Sequence, residues 1–263
     1  MKDYLKSNEA LWDEWARIHP DTEMYNMRAF LSGATSLKPI EREALGDVGG
    51  KQLLHLQCHF GQDTLSWARL GAEAVGVDFS QEAIKMARQL NEELGLSASF
   101  LQSDVLQLSG KLQRQFDIVF TSYGVLIWLP ELESWGEVVA EHLKPGGQFF
   151  IVEFHPAFYM FDPESSAFAY SYFNRGEPYA EEVAGSYAKP EEGTWRIEHS
   201  WSHSLADIMG ALLRQGLVLE SFQEYPYSPY NCFPNMEAVE PGLYQCRSLP
   251  GVPHLFSLKM YKP

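Results

Sequence analysis

Between residues 51 and 153, short apolar runs alternate with stretches of helical period. That alternation restricts the chain to a parallel sheet with helices on both faces. Residues 52–58 form an apolar-rich run that ends in a turn at Gly61, and a helix is expected over 62–70, closed by Gly71. Residues 74–78 read as the next strand. Ser80 then stands where an N-cap belongs, with Glu82 in the first turn. The helix that follows, over 81–94, places Ala83, Ala87, Leu90 and Leu94 on one face. Residues 97–101 and 116–120 read as the third and fourth strands. Leu132, Trp135, Val139 and Leu143 give the stripe of a helix stopping at Lys144-Pro-Gly-Gly147, and 148–153 is the fifth strand.

Past Glu153 the period is lost. Residues 155–196 are rich in Tyr, Phe, Pro, Ser and Glu, and their aromatics need burial, so an insertion packed over the sheet's edge is expected. A helix resumes over 204–215, with Leu205, Ile208, Met209 and Leu212 on one side, and strands follow at 217–222 and 255–260. Long irregular segments inside a compact domain are uncommon unless functional. The segments at about 155–200 and 225–254 are therefore expected to cap an active site on a domain spanning 51–263. Residues 1–50, with Trp12, Trp15, Tyr25 and Phe30, are expected to add a helical lid.

The bulk properties exclude some partners. The formal charge is −15, and Lys and Arg are scattered singly. Nucleic-acid binders draw much of their affinity from basic stripes that neutralise phosphates, so no nucleic-acid partner is expected. No apolar run approaches the roughly 18 residues of a membrane span, and the N-terminus lacks a signal peptide's apolar stretch. A soluble, cytoplasmic protein is expected. Cys58, Cys232 and Cys246 are odd in number and far apart, which argues for reduced thiols rather than a disulfide framework. His199 and His203 are four apart, but no Cys or acid cluster joins them, so no metal site is expected. Oligomeric state is not encoded in any of these features.

Sheets of this kind bind nucleosides at the carboxyl ends of their strands, where strand order reverses. The residues there are Gln57-Cys58-His59-Phe60-Gly61 after strand one, Asp78-Phe79 after strand two, Ser103-Asp104-Val105 after strand three and Thr121-Ser122-Tyr123-Gly124 after strand four. A carboxylate at Asp78 can accept hydrogen bonds from both ribose hydroxyls, and one at Asp104 can accept from an adenine amine. Phe79 and Val105 would wall the purine. Each aspartate alone reads equally well as a helix cap; the pair favours a nucleoside.

At these positions the chain resembles the class I S-adenosylmethionine (SAM)-dependent methyltransferases. The resemblance rests on Leu53-Leu-His-Leu-Gln-Cys-His-Phe-Gly61, Val75-Gly-Val-Asp-Phe-Ser80, Ser103-Asp104, Phe116-Asp-Ile-Val-Phe120 and Leu143-Lys-Pro-Gly-Gly147. It implies a Rossmann-like, mostly parallel α/β sheet with an antiparallel last strand. It also implies SAM as cofactor, leaving as S-adenosylhomocysteine (SAH). In that family the loop after strand one wraps the methionine portion of SAM, and the residues matching Asp78 and Asp104 hold the ribose and the adenine amine. The cofactor set implied here is Gln57, His59, Gly61, Asp78, Phe79, Asp104, Val105 and Thr121. The departure lies in the first loop. His55 stands in place of the family's acid, Gln57 and His59 in place of its first two glycines, and only Gly61 remains. Either both side chains turn away while their backbone lines the pocket, or they contact the cofactor directly.

The implied activity is methyl transfer to a small-molecule acceptor. Tyr123 and Trp128 are candidates for acceptor contact, and Glu153 or His155 for orienting or deprotonating it, because the end of the fifth strand faces the SAM methyl in this fold. A SAM- or nucleotide-binding sensor without transfer activity is the alternative, supported by the altered loop. A dinucleotide-dependent oxidoreductase needs a glycine-rich pyrophosphate turn that this loop lacks.

Overall fold

The computed structural model describes residues 2–162, 164–190, 193–231 and 233–263. Its centre is a seven-stranded sheet built from β1 (Gln52–Leu56), β2 (Glu73–Asp78), β3 (Ser99–Gln102), β4 (Phe116–Ser122), β5 (Leu143–Phe154), β6 (Val218–Tyr225) and β7 (Leu255–Tyr261). The order across the sheet is β6-β7-β5-β4-β1-β2-β3. Strands β1 to β5 pair in parallel, whereas β7 runs antiparallel to both β5 and β6. Strand order reverses between β1 and β4, which opens a crevice at their carboxyl ends.

Alternation within the strands supplies both faces of the core. Leu54, Leu56 and Val119 pack with Trp135, Val138 and Val139 of α6 (Glu133–His142) and with Ile208 and Leu212 of α7 (Leu205–Arg214). Leu53, Ile118 and Phe120 point the other way, onto Trp67 of α4 (Gln62–Arg69), Phe150 and Val152. Helix α5 (Gln81–Glu93) buries Ala83, Ile84, Ala87 and Leu90 beneath β2 and β3, and Ser80 caps it by accepting from Ala83 N–H. Gly136 lets α6 cross α7 closely, since a Cβ there would lie 2.5 Å from the Ala211 carbonyl.

The helices and strands expected from the sequence are present, with one displaced boundary. Helix α6 ends at His142, and Lys144-Pro-Gly-Gly147 lies within β5 rather than at the helix stop. The segment expected to be irregular holds two antiparallel hairpins, Tyr179–Val183 with Arg196–Ser200 and Gly185–Ser186 with Lys189–Pro190; a third pairs Met236–Glu240 with Leu243–Cys246. Their strands are short and largely exposed, so their sequence carries no burial-driven alternation. They sit over the cavity at the strand ends rather than at the sheet's edge.

Helix α1 (Lys2–Ile18) clasps this cap to the sheet domain. Asn8 bonds both backbone groups of His199, donating to its carbonyl at 2.7 Å and accepting from its N–H at 3.0 Å. Trp15 Nε1 donates to the Gly185 carbonyl, while Asp13 accepts from the Ser80 hydroxyl and the Glu82 N–H at the start of α5. Two short helices, α2 (Met27–Leu31) and α3 (Pro39–Leu45), complete the N-terminal segment.

Candidate active site

The loop after β1 answers the question posed by its missing glycines. Gln57 has φ 56° and His59 φ 52°, so both hold the left-handed backbone conformation that glycine adopts without cost. Their side chains are tied off inside the protein. Gln57 Nε2 donates to the Val125 carbonyl at 2.9 Å, and His59 Nε2 lies 2.8 Å from His19 Nδ1 in the N-terminal segment. Gly61 caps α4 with φ 82°, and a Cβ there would meet the Phe100 ring at 2.7 Å. The loop keeps the backbone form of a glycine turn, with side chains that anchor it to the N-terminal segment and to the turn after β4.

Asp78 ends β2 with its carboxylate beside this cradle. One oxygen accepts from His59 N–H at 2.8 Å and the other from Ser80 N–H at 2.9 Å. The Phe79 N–H also faces this carboxylate, which retains acceptor capacity for a hydroxyl of a vicinal diol. Burial pushes the Asp78 carboxyl up to about 6, against the opposing pull of those hydrogen bonds. Asp78, Phe79, Gln57, His59 and Gly61 all line one cavity of about 850 Å³.

Three other expected cofactor contacts do not line that cavity. Asp104 caps the turn after β3, accepting from Leu106 N–H at 3.0 Å and from Gln107 Nε2 at 3.1 Å. Val105 is buried in the core beside it, and the Thr121 hydroxyl donates to the Leu56 carbonyl, locking β4 to β1. Asp104 therefore takes its capping role, one of the two readings open in the sequence.

The two residues expected to act on the acceptor do not line the cavity. Glu153 is 2% exposed, and its carboxylate accepts from the N–H groups of Gly124, Val125, Leu126 and Phe154. It staples the turn after β4 and has no acceptor position left for substrate. His155 accepts from Ala157 N–H through Nδ1, and its Nε2 faces Glu224 at 2.9 Å, away from the cavity. A titratable pair at a strand end looked catalytic; backbone donors claim one member and a surface acid the other.

Tyr123 and Trp128, by contrast, do face the cavity. Tyr123 has φ 48°, and its hydroxyl lies 2.9 Å from Glu41 of α3. Trp128 donates to the Gly124 carbonyl and meets Trp12 edge-on, with ring centroids 5.2 Å apart. Residues that sequence patterns did not single out also stand at or just behind the cavity wall, and of these Asp63 lines it. Glu41 is fully buried, and burial, with Asp63 nearby, pushes its carboxyl up to about 8. His19 stacks on Tyr25. Asp63 sits in the first turn of α4 and lines the cavity. Asp63 had a positional signal, two residues after Gly61; Glu41 and His19 had none, because the N-terminal segment sets them against Tyr123 and His59 from far along the chain. His199 lies on a cap strand and His203 in the loop before α7; among the described residues no group of three or more potential metal ligands occurs.

Comparison with known proteins agrees with this geometry. Residues 53–147 match the methyltransferase-domain family. A ubiquinone biosynthesis O-methyltransferase of Proteus mirabilis is 26% identical over 155 residues, which is 52% of this chain and 63% of that protein. The chain spans less than two thirds of the curated relatives it matches. Among solved structures, a SAM-dependent methyltransferase from Mesorhizobium loti superposes with TM-score 0.58 at 18% identity, covering 88% of this chain and all of the other. The DhpI–SAH complex gives TM-score 0.59 at 17% identity over 100% of this chain and 99% of the other. The family match runs from β1 into β5, and the likeness to these solved structures shows that the whole chain shares their fold.

Proposed function

We propose that the protein binds SAM in the cradle after β1 and transfers its methyl group to a small-molecule acceptor inside the capped cavity. The observation that carries this is the pairing of a left-handed loop at Gln57 and His59 with an Asp78 carboxylate that lines the cavity. Both SAM and SAH present a ribose diol suited to a carboxylate acceptor. The altered loop was the ground for a binding protein without transfer, and it keeps the backbone form of a glycine loop.

SAM supplies a methyl group already activated on a sulfonium. The residues of this chain have to bind, align and exclude water, and alignment alone contributes roughly 7–11 kcal/mol in favourable systems. Asp78 fixes the ribose, and Phe79 lies against the purine. The lid closes the cradle through His19 and His59, while Trp12, Trp128 and Tyr123 form an aromatic wall tolerant of positive charge. A cavity of about 850 Å³ lies within the roughly 300–1,000 Å³ range of small-molecule sites. Glu198 of the cap hairpin lines the same cavity, and burial beside Glu181 pushes its carboxyl up to about 7. It is placed to take a proton from an acceptor near neutral pH.

Hydroxyl-bearing acceptors, by analogy with the ubiquinone biosynthesis O-methyltransferases, are one class to screen. No described helix is long and apolar enough to cross a membrane. Cys58 and Cys246 are free, buried thiols, in keeping with a cytoplasmic setting, while Cys232 lies outside the described residues. Calorimetric titration with SAM and SAH, repeated on Asp78→Ala, tests the cofactor site. Micromolar binding by the parent and none by the variant is expected; no binding by the parent overturns the proposal.

A further inference from the structure

The cofactor reading leaves a charge unaccounted for. The methionine portion of SAM carries an α-ammonium, which needs an anionic partner once it leaves water. The resembled family places an acid at the position of His55, and His55 cannot replace its charge. His55 is 3% exposed, its Nδ1 lies 2.8 Å from Thr64 Oγ1, and burial pushes its pKa down to about 3, so the ring is neutral.

A different carboxylate lines the cavity at the start of α4. Asp63 stands in the first turn of α4, next in sequence to the Thr64 that meets His55, and both His55 and Asp63 line the cavity. We propose that Asp63 takes over the role of the missing acid and receives the α-ammonium of the cofactor's amino-acid portion, from the start of α4 rather than the end of β1. The helix N-terminus favours an anion there. Around it stand the Ser122 hydroxyl, 3.4 Å from Oδ2, the hydroxyl of Ser36 and the ammonium of Lys38. Glu41 and Tyr25 face it from the lid. Burial pushes the Asp63 carboxyl up, and an arriving ammonium offsets that cost. The Lys38 ammonium, 4.4 Å over the Tyr230 ring, stands on the same side of the cavity.

The inference rests on SAM binding, so its test separates the two. Calorimetry compares SAH with 5′-methylthioadenosine, which keeps the nucleoside and thioether and lacks the amino-acid portion. Asp63→Asn is expected to weaken SAH about 10- to 100-fold, as for loss of a hydrogen bond to a charged group, and to leave methylthioadenosine within about twofold. Asp63→Ser keeps a helix-start oxygen and carries the same comparison should the Asn variant fail to fold. An unchanged SAH affinity, or an equal loss for both ligands, overturns the assignment while leaving the cofactor site standing. Failure of the parent protein to bind either ligand removes the cofactor reading and this inference with it.

Discussion

His19 Nδ1 and His59 Nε2 lie 2.8 Å apart, and this single contact ties the N-terminal segment to the loop that cradles the proposed cofactor. Both rings are buried, and burial pushes both pKa values down, that of His19 to about 3. The rings are thus neutral, one donating to the other, and their outer nitrogens have no partner among the described residues.

Breaking this pair leaves a buried nitrogen unsatisfied, at a cost of about 1–3 kcal/mol. His59→Ala is expected to lower the melting temperature by a few degrees, at roughly 2–4 °C per kcal/mol for a chain this size. It should also weaken SAH binding. The double variant His19→Ala/His59→Ala should lose less than the sum of the singles, because the partners interact directly. Strict additivity in thermal unfolding would show that the contact carries no energy.

Asp78 should make cofactor affinity depend on pH. The ionised carboxylate is the better acceptor for the ribose hydroxyls, and its pKa in the ligand-free protein is about 6. The dissociation constant for SAH is expected to be flat above pH 7 and to rise about tenfold per pH unit below 6. Calorimetry from pH 5 to 8 measures this, and Asp78→Asn should bind weakly without that dependence.

Glu41 gives the opposite kind of pH effect, on stability. Its carboxyl is raised from an ordinary 4.5 to about 8, so between those values the folded state holds a proton that the unfolded state has released. Stability from this group is fully present below pH 4.5 and falls as pH rises towards 8, by at most about 1.4 kcal/mol per pH unit. Urea unfolding of Glu41→Gln should lose this slope. A parent and variant with the same pH dependence would show that Glu41 ionises freely in the fold.

Glu153 should behave as a structural residue. Glu153→Ala strands backbone donors at Gly124, Val125 and Leu126 and should cost at least about 3 kcal/mol, since each unsatisfied buried group costs about 1–3. A drop of roughly 6–12 °C in melting temperature follows. Once an acceptor is found, the pH–rate profile of folded Glu153→Gln should keep the parent's inflections. Loss of a basic limb would restore the residue to the chemistry.

The sheet and the strand ends that open onto the cavity were legible in the sequence because they rest on local rules. Apolar runs spaced by helical stripes dictate β1 to β5, the N-cap at Ser80 sets the start of α5, and Asp78 reaches the crevice simply by ending a strand. Tertiary structure decided everything that depends on which partner claims a polar group. At Gln57 and His59 the residue names argue against a glycine-like turn; contacts to Val125 and to His19 hold that backbone, from 68 and 40 residues away. Glu153 and Asp104 occupy strand ends as functional acids do, yet neighbouring N–H groups satisfy them, and a sequence does not show which donors lie free in space. Glu41 and the cap hairpins lie in segments without a buried period. The hairpins reach the cavity, and Glu41 reaches the Tyr123 hydroxyl behind it, through chain crossings whose geometry exists only once the core has closed.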